Sequence, residues 1–346
     1  MSTTLVVRLD SDGDVLLAGP AVRAVAASGD RVVLLVGPQG AAAARLLPGV
    51  DRVLVWSCPW IVADPAPVDP AAVAEVVERV RAEGVDRALV LTSFHQSPLP
   101  TALVLRLAGV GWVGAVSEDY PGSLLDLRHR LPDRGLHETQ RQLRLAEAAG
   151  FALVPGDTGA LRVRDSLPDT SALTGGQPYV VVHPGASVPA RAPGPEWCAR
   201  LVQALLDDGR RVVVTGGPRE TDLTAAVAAP GAVDLGGATD LAELADVLRR
   251  ADAVVVGNTG PAHLAAAVGT PVVSLFAPVV PAERWRPWSV PSVLLGDQTA
   301  ACALSRARTC PVAGHPCLDG VPVGQAVAAV GTLAGSRPRP RQEVPA

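Results

Sequence analysis

Lysine is absent: all 30 basic side chains of this 346-residue chain are arginine. With the heavy load of Ala, Gly and Pro, this reads as the codon bias of a GC-rich genome and by itself says little about chemistry. Aromatic residues make up only 3% of the chain, although hydrophobic residues reach 48%. The cores must therefore be built mainly from Val, Leu and Ala, and the composition is globular rather than disordered. A basic excess is missing too, since 30 − 34 leaves a net charge of −4. No global pull toward nucleic acid or anionic lipid is expected. Cysteine is sparse and odd in number (Cys58, Cys198, Cys302, Cys310, Cys317), which argues against a secreted disulfide scaffold. Charge, Gly or Pro breaks every apolar run well short of the roughly 18 residues a membrane span needs. No transmembrane segment is expected, and peripheral association with a membrane stays compatible with this. Thr3 and Thr4 lead straight into Leu5 with no basic region ahead of an apolar stretch, so no export signal is expected and the protein is expected in the cytoplasm.

What the chain does have is length and alternation. At about 150 residues per domain, 346 residues suggest two domains. Near-continuous apolar runs recur at residues 4–9, 31–36, 52–55, 87–91, 179–182, 211–215, 253–256 and 272–276, as strands buried on both faces of a parallel sheet require. Helical patterns at 20–28, 71–83, 195–208 and 241–250 lie between them. The expected fold class is α/β, doubly wound. The alternation lapses over 155–178, where Gly, Pro, Asp, Ser and Thr cluster, and this places a linker between domains of 1–165 and 166–334. The Pro- and Arg-rich residues 335–346 are expected to be a disordered tail.

Four strand-to-helix turns carry polar groups, and turns at the carboxyl ends of parallel strands are where such folds bind ligands. After the first strand come Asp10, Asp12 and Asp14. Crowded carboxylates raise at least one pKa and suit a general base, whereas the same residues serve equally as helix caps. No G-x-G-x-x-G follows, so a dinucleotide fingerprint is not supported. In the second half, His183-Pro184-Gly185-Ala186-Ser187 runs on to Arg191 and suits an anion such as phosphate. His183 itself reads as a structural strand-end residue. Gly216-Gly217-Pro218-Arg219-Glu220 offers a carboxylate that fits either ribose hydroxyls or a helix dipole. Gly257-Asn258-Thr259-Gly260-Pro261-Ala262-His263 opens an apolar helix, where free N–H groups favour a pyrophosphate. His263 either donates to that phosphate or merely packs.

Taken in order from Thr4 to about Val327, these motifs resemble glycosyltransferase family 9, the ADP-heptose:lipopolysaccharide heptosyltransferases and their relatives. The residues that carry the resemblance are Arg8-Leu9-Asp10 with Gly13-Asp14-Val15-Leu16, His183-Pro184-Gly185-Ala186, Gly216-Gly217-Pro218 with Glu220, and above all Asn258 to Ala267. It implies a GT-B fold of two Rossmann-like domains facing a cleft, the first for the acceptor and the second for the donor. It also implies inverting transfer of a sugar from an ADP-sugar co-substrate, with no metal or other cofactor. Asp14 matches the family's general base. Ser187, Arg191, Glu220, Asn258, Thr259, Gly260 and His263 fall at the donor site, with Asn258 standing where many relatives carry Asp.

For the acceptor, expected to be a glycoside, a lipid-linked sugar or a natural product, the first domain offers His95, Gln96, Tyr120, Arg128 and Arg130. These arginines lie in a long polar loop and suggest an anionic acceptor. Cys302, Cys310, His315 and Cys317 contain no C-x-x-C knuckle, so zinc is not expected. A nucleotide-sugar 2-epimerase of the same architecture, or a non-catalytic nucleotide-sugar binder, are the competing readings. Interconversion of donor epimers without acceptor would mark the first, and the retained Asp14 weighs against the second.

Overall fold

The computed structural model describes residues 2–335 except Ala63, Phe94 and Asp133. The tail beyond, residues 336–346, lies outside the described residues. The chain divides into two compact units, Met1–Ser166 with Glu283–Trp288, and Leu167–Ala282 with Ser289–Ala346. The return of Glu283–Trp288 to the first unit has no signal in the sequence pattern.

In unit 1, the strands are β1 (Thr3–Arg8), β2 (Arg31–Val36), β3 (Arg52–Val55), β4 (Arg87–Val90), β5 (Trp112–Val116) and β6 (Leu127–His129). Its helices are α1 (Asp12–Leu17), α2 (Gly19–Ala26), α3 (Ala41–Leu46), α4 (Pro70–Ala82), α5 (Leu99–Leu107) and α6 (Glu138–Ala148). All neighbouring strands pair in parallel in the order β3-β2-β1-β4-β5-β6.

Unit 2 repeats the plan. Its strands are β7 (Val180–His183), β8 (Val212–Gly216), β9 (Val233–Gly236), β10 (Ala253–Gly257), β11 (Val272–Leu275) and β12 (Ser292–Leu295), in the order β12-β11-β10-β7-β8-β9. The helices are α7 (Ser171–Thr174), α8 (Pro195–Asp207), α9 (Thr221–Val227), α10 (Leu241–Arg250), α11 (Gly260–Ala267), α13 (Pro316–Asp319) and α14 (Val323–Ala334), while α12 (Ala282–Trp285) falls almost wholly in the segment that belongs to unit 1. Counted from the first strand of each unit, both sheets have the Rossmann order 3-2-1-4-5-6.

The residues explain this regularity. β1, β2, β7 and β10 are runs of Val and Leu whose side chains are almost wholly buried, so each strand is covered on both faces. Each unit then has a separate apolar core, one around Leu5, Val33, Val80 and Leu105 and the other around Trp197, Leu201, Val255 and Leu318. Helix starts follow local chemistry. Asp240 accepts from the N–H groups of Ala242 and Glu243 while Glu243 reaches back to the N–H of Asp240, a reciprocal cap that fixes where α10 begins. Among the described residues, no helix is long and apolar enough to cross a membrane.

Gly13 and Asp14 lie in the first turn of α1, which starts directly after Ser11. Acidic residues in a first helical turn complement the helix dipole, which is why the helix tolerates them there. The stretch expected to be one long polar loop contains β6, so Arg128 and His129 are strand residues. β6 is an edge strand bonded only to β5, and an edge accepts the charged residues that hide it from the eye. β5, β9 and β12 also escaped the apolar pattern. Gly114 interrupts the first, and the other two are partly exposed.

Candidate active site

In each unit the polar turns gather where the strand order reverses, the usual binding point of an open parallel sheet. In unit 1 this is the junction of β1 and β4. The first organiser is Arg8, the last residue of β1, whose side chain is 0% exposed. Arg8 donates from Nη2 to Asp14 at 2.9 Å and to Ser93 Oγ at 3.0 Å, and its Nε lies 3.2 Å from Asp10. Burial works against its charge, yet Asp10, Asp14 and Glu138 outweigh burial and hold the guanidinium above its usual range. Asp14 is also tied by the hydroxyl of Ser11, which donates at 2.9 Å.

The three carboxylates thus have different tasks. Asp12 does not cap the helix it opens, which follows Ser11, but accepts from the N–H of Ala43 in the first turn of α3. Asp10 accepts from the amide of Gln96 at 2.6 Å, and burial pushes its carboxyl up, against the pull of Arg8. Asp14 is the one with a fifth of its side chain open, at 22% exposed. Beneath them, fully buried Glu138 meets Arg284 at 2.9 Å. Arg8, Glu138 and Arg284 were not singled out as site residues. Only Arg8 left a trace in the sequence, as a lone charge ending an apolar strand.

A cavity of about 250 Å³ adjoins this cluster, bounded by the turns after β4 and β5 and by α6. His95 and Gln96 line it, along with Ser93, Ser117, Asp119 and Gln142. Tyr120 is largely exposed and Arg130 is exposed. Arg128 donates to the carbonyls of Ser117 and Glu118. None of these three lines the cavity.

In unit 2 the corresponding turns follow β7, β8 and β10. Gly185 is needed because the carboxylate of Glu220 packs where a Cβ would sit, and Gly257 because the carbonyl of Arg191 does. These two glycines therefore lock Glu220 and Arg191 into the turns. Glu220 accepts from the N–H of Gly217 at 2.7 Å. Arg191 ends a short 3-10 turn, and Ser187 is exposed before it. The amide of Asn258 is committed to the backbone: it accepts from the N–H of Ala277 at 3.1 Å and donates to its carbonyl at 3.3 Å. An Asp there would keep the first bond and set an oxygen against the second. Thr259 precedes α11, Gly260 opens it and His263 is buried in its first turn.

His183 is structural, with Nδ1 lying 3.0 Å from the Thr215 hydroxyl and the ring buried. Burial lowers its pKa to about 4, against the opposing pull of Glu220. The ring is thus neutral in the folded protein, while the unfolded chain takes up a proton near pH 6.5. Its contribution to stability is complete above pH 6.5 and is lost as pH falls toward 4, to a limit of about 3 kcal/mol. Urea unfolding at pH 7 and pH 4.5 should show that loss in the wild type and a smaller one in His183→Asn. Equal losses in both proteins would refute the role. The cysteines are all free, and burial together with Cys302 and Cys310 pushes the Cys317 thiol up to about 11. Among the described residues, no group of three or more His, Cys, Asp or Glu side chains is placed to hold a metal ion.

Two Rossmann-order sheets in one chain are the architecture of the GT-B fold. Residues 73–315 match the model of glycosyltransferase family 9 (heptosyltransferase), and the chain belongs to that family. It is 29% identical over 171 residues to lipopolysaccharide heptosyltransferase 3 of Escherichia coli K12, a match covering 46% of this chain and 49% of that one. The chain spans about half the length of the curated relatives it matches, or less. The fold is similar over nearly its whole length to a family 9 glycosyltransferase of Veillonella parvula, with a TM-score of 0.79, 16% identity and coverage of 97% and 98%. It is likewise similar to the E. coli ADP-heptose lipopolysaccharide heptosyltransferase II, with a TM-score of 0.74, 18% identity and coverage of 96% and 98%.

Proposed function

We propose that this protein is an inverting glycosyltransferase that moves a sugar, heptose by family default, from an ADP-sugar to an acceptor hydroxyl with Asp14 as general base. The observation that carries the reading is Asp14 itself: a partly open carboxylate held by Arg8 and Ser11 at the switch point of the first sheet. As the acceptor oxygen bonds to the anomeric carbon, its proton passes to Asp14 and the bond from that carbon to the diphosphate breaks. Negative charge then grows on the leaving ADP. Arg191 and the N–H groups opening α11 are the groups that offset it, so the proposal needs no metal. Ser187, Thr259, Gly260 and His263 surround the diphosphate in this reading, and Glu220 accepts from the ribose hydroxyls. Asn258 acts through the backbone, by holding its turn against Ala277.

Thermal shift with ADP, UDP and GDP tests the donor assignment. ADP at about 100 times its Kd should stabilise the fold by roughly 2.7 kcal/mol, more than UDP or GDP at equal concentration. Absence of a shift with any of the three would overturn it.

A further inference from the structure

The cavity beside Asp10 contains a side chain that the transfer reaction does not explain. Gln142, on α6, is 3% exposed and helps to wall the cavity, yet among the described residues neither its amide oxygen nor its amide nitrogen has a hydrogen-bond partner. A primary amide offers two donors and two acceptor lone pairs, and burying one unpartnered is costly unless something arrives to pair with it. Its neighbours show the contrast. Gln96 accepts from the N–H of Ser93 at 3.0 Å and donates to Asp10, and Gln140 is used in the cap of α6.

The charges around the cavity select the kind of partner. Among the described residues that line it, Arg141 is the arginine, and that guanidinium donates to the Pro132 carbonyl at 2.9 Å and lies 3.9 Å from Glu138. Against it stand the carboxylates of Glu118 and Asp119 at the rim, with the hydroxyls of Ser93, Ser97 and Ser117. Carboxylates, amides and serines together suit hydroxyl groups, which both donate and accept, and they repel phosphate or carboxylate. The volume, about 250 Å³, is below the roughly 300–1,000 Å³ of sites for drug-sized ligands and suits a single ring. The cavity is also wired to the base. Ser93 accepts from the same Arg8 nitrogen that donates to Asp14, and Gln96 donates to Asp10.

We infer that this cavity receives the reacting ring of the acceptor as a neutral polyhydroxylated group, and that Gln142 is the specificity residue that pairs with its hydroxyls. The inference rests on the transferase reading for the word acceptor, but the binding it requires is independent of the donor. It also moves recognition away from Arg128 and Arg130 and predicts an uncharged ring where those arginines suggest an anionic one.

The test is an NMR titration of the full chain with methyl mannopyranoside as neutral probe and mannose 6-phosphate as anionic probe. The neutral probe should bind more tightly than the phosphate, and Gln142→Met, which keeps the length without the amide, should weaken it about tenfold. ADP-induced stabilisation should be the same in variant and wild type. If Gln142→Met does not fold, Ser117→Ala on the facing turn should weaken the neutral probe about threefold. No binding of the neutral probe, tighter binding of the phosphate, or equal binding by the folded Gln142→Met variant would each overturn the inference, the last by leaving a buried water as the partner. Loss of the ADP shift with the pyranoside result intact would sink the donor reading alone.

Discussion

Asp14→Asn is expected to slow acceptor-dependent release of ADP from ADP-heptose by about 10²–10⁴-fold, the usual worth of a positioned general base. The substitution keeps the shape of the turn. The Asn oxygen still accepts from Arg8, and its amide nitrogen still meets the Ser11 hydroxyl, so the bonds to Arg8 and Ser11 have replacements. Basicity is what disappears. Arg8 retains Asp10 at 3.2 Å and the Asp14 bonds are replaced by neutral ones, so the stability loss should stay below about 3 kcal/mol, the upper scale of one hydrogen bond to a charged group. ADP affinity, proposed to reside in the turns of unit 2, should not change. Turnover at the wild-type rate in the folded variant would transfer the role to Asp10. Asp12 is excluded from it by its bond to Ala43.

Arg8→Met should cost about 3–5 kcal/mol of folding stability, making it the most damaging single change at the site. The guanidinium is wholly enclosed and faces Asp10, Asp14 and Ser93, with the charge of buried Glu138 close enough to be felt. Removing the cation strands two carboxylates in a desolvated turn, and their mutual repulsion no longer has an opposing charge. Chemical denaturation of the purified variant measures the loss. The double variant Arg8→Met with Asp10→Asn should recover part of it, because one of the stranded charges is then gone. A single variant within about 1 kcal/mol of wild type would show that water, not Arg8, neutralises the carboxylates. Since Arg8 also orients Asp14, turnover should fall in any fraction of the variant that stays folded.

Much of this architecture was legible from local chemistry. Runs such as Thr4–Leu9, Arg31–Val36 and Ala253–Val256 read as doubly buried strands because nothing polar interrupts them, and their alternation with helical patterns led to a doubly wound fold. The motif after β10 was legible for a similar reason: small residues and a proline have few other uses at the start of a helix. The acids at 10, 12 and 14 announced a polar sheet edge, but spacing alone did not separate a base from a cap. That separation is a matter of three-dimensional partners. Asp12 turned out to face α3, and Asp14 to face Arg8, through contacts in which α3 lies some thirty residues away in sequence.

Strand order, and with it the meeting of β1 and β4, came only with the tertiary structure. Apolar patterns say that a strand is buried and not which neighbour buries it. The edge strand β6 hid for the opposite reason, since its polar residues need not be buried at all. The space beside the glycines at 185 and 257 is taken in the folded chain by Glu220 and the Arg191 carbonyl, a use that sequence does not reveal. The buried polar groups Glu138, Gln142 and Arg284 were the least visible. Each sits in an ordinary helical context, and its meaning comes from partners it gains, or in the case of Gln142 lacks, when helices fold over the carboxyl edge of the first sheet. Local sequence sets which segments are apolar and which turns are polar, because those are properties of neighbouring residues. Which charges meet is decided by topology, because burial brings together groups that the chain holds far apart.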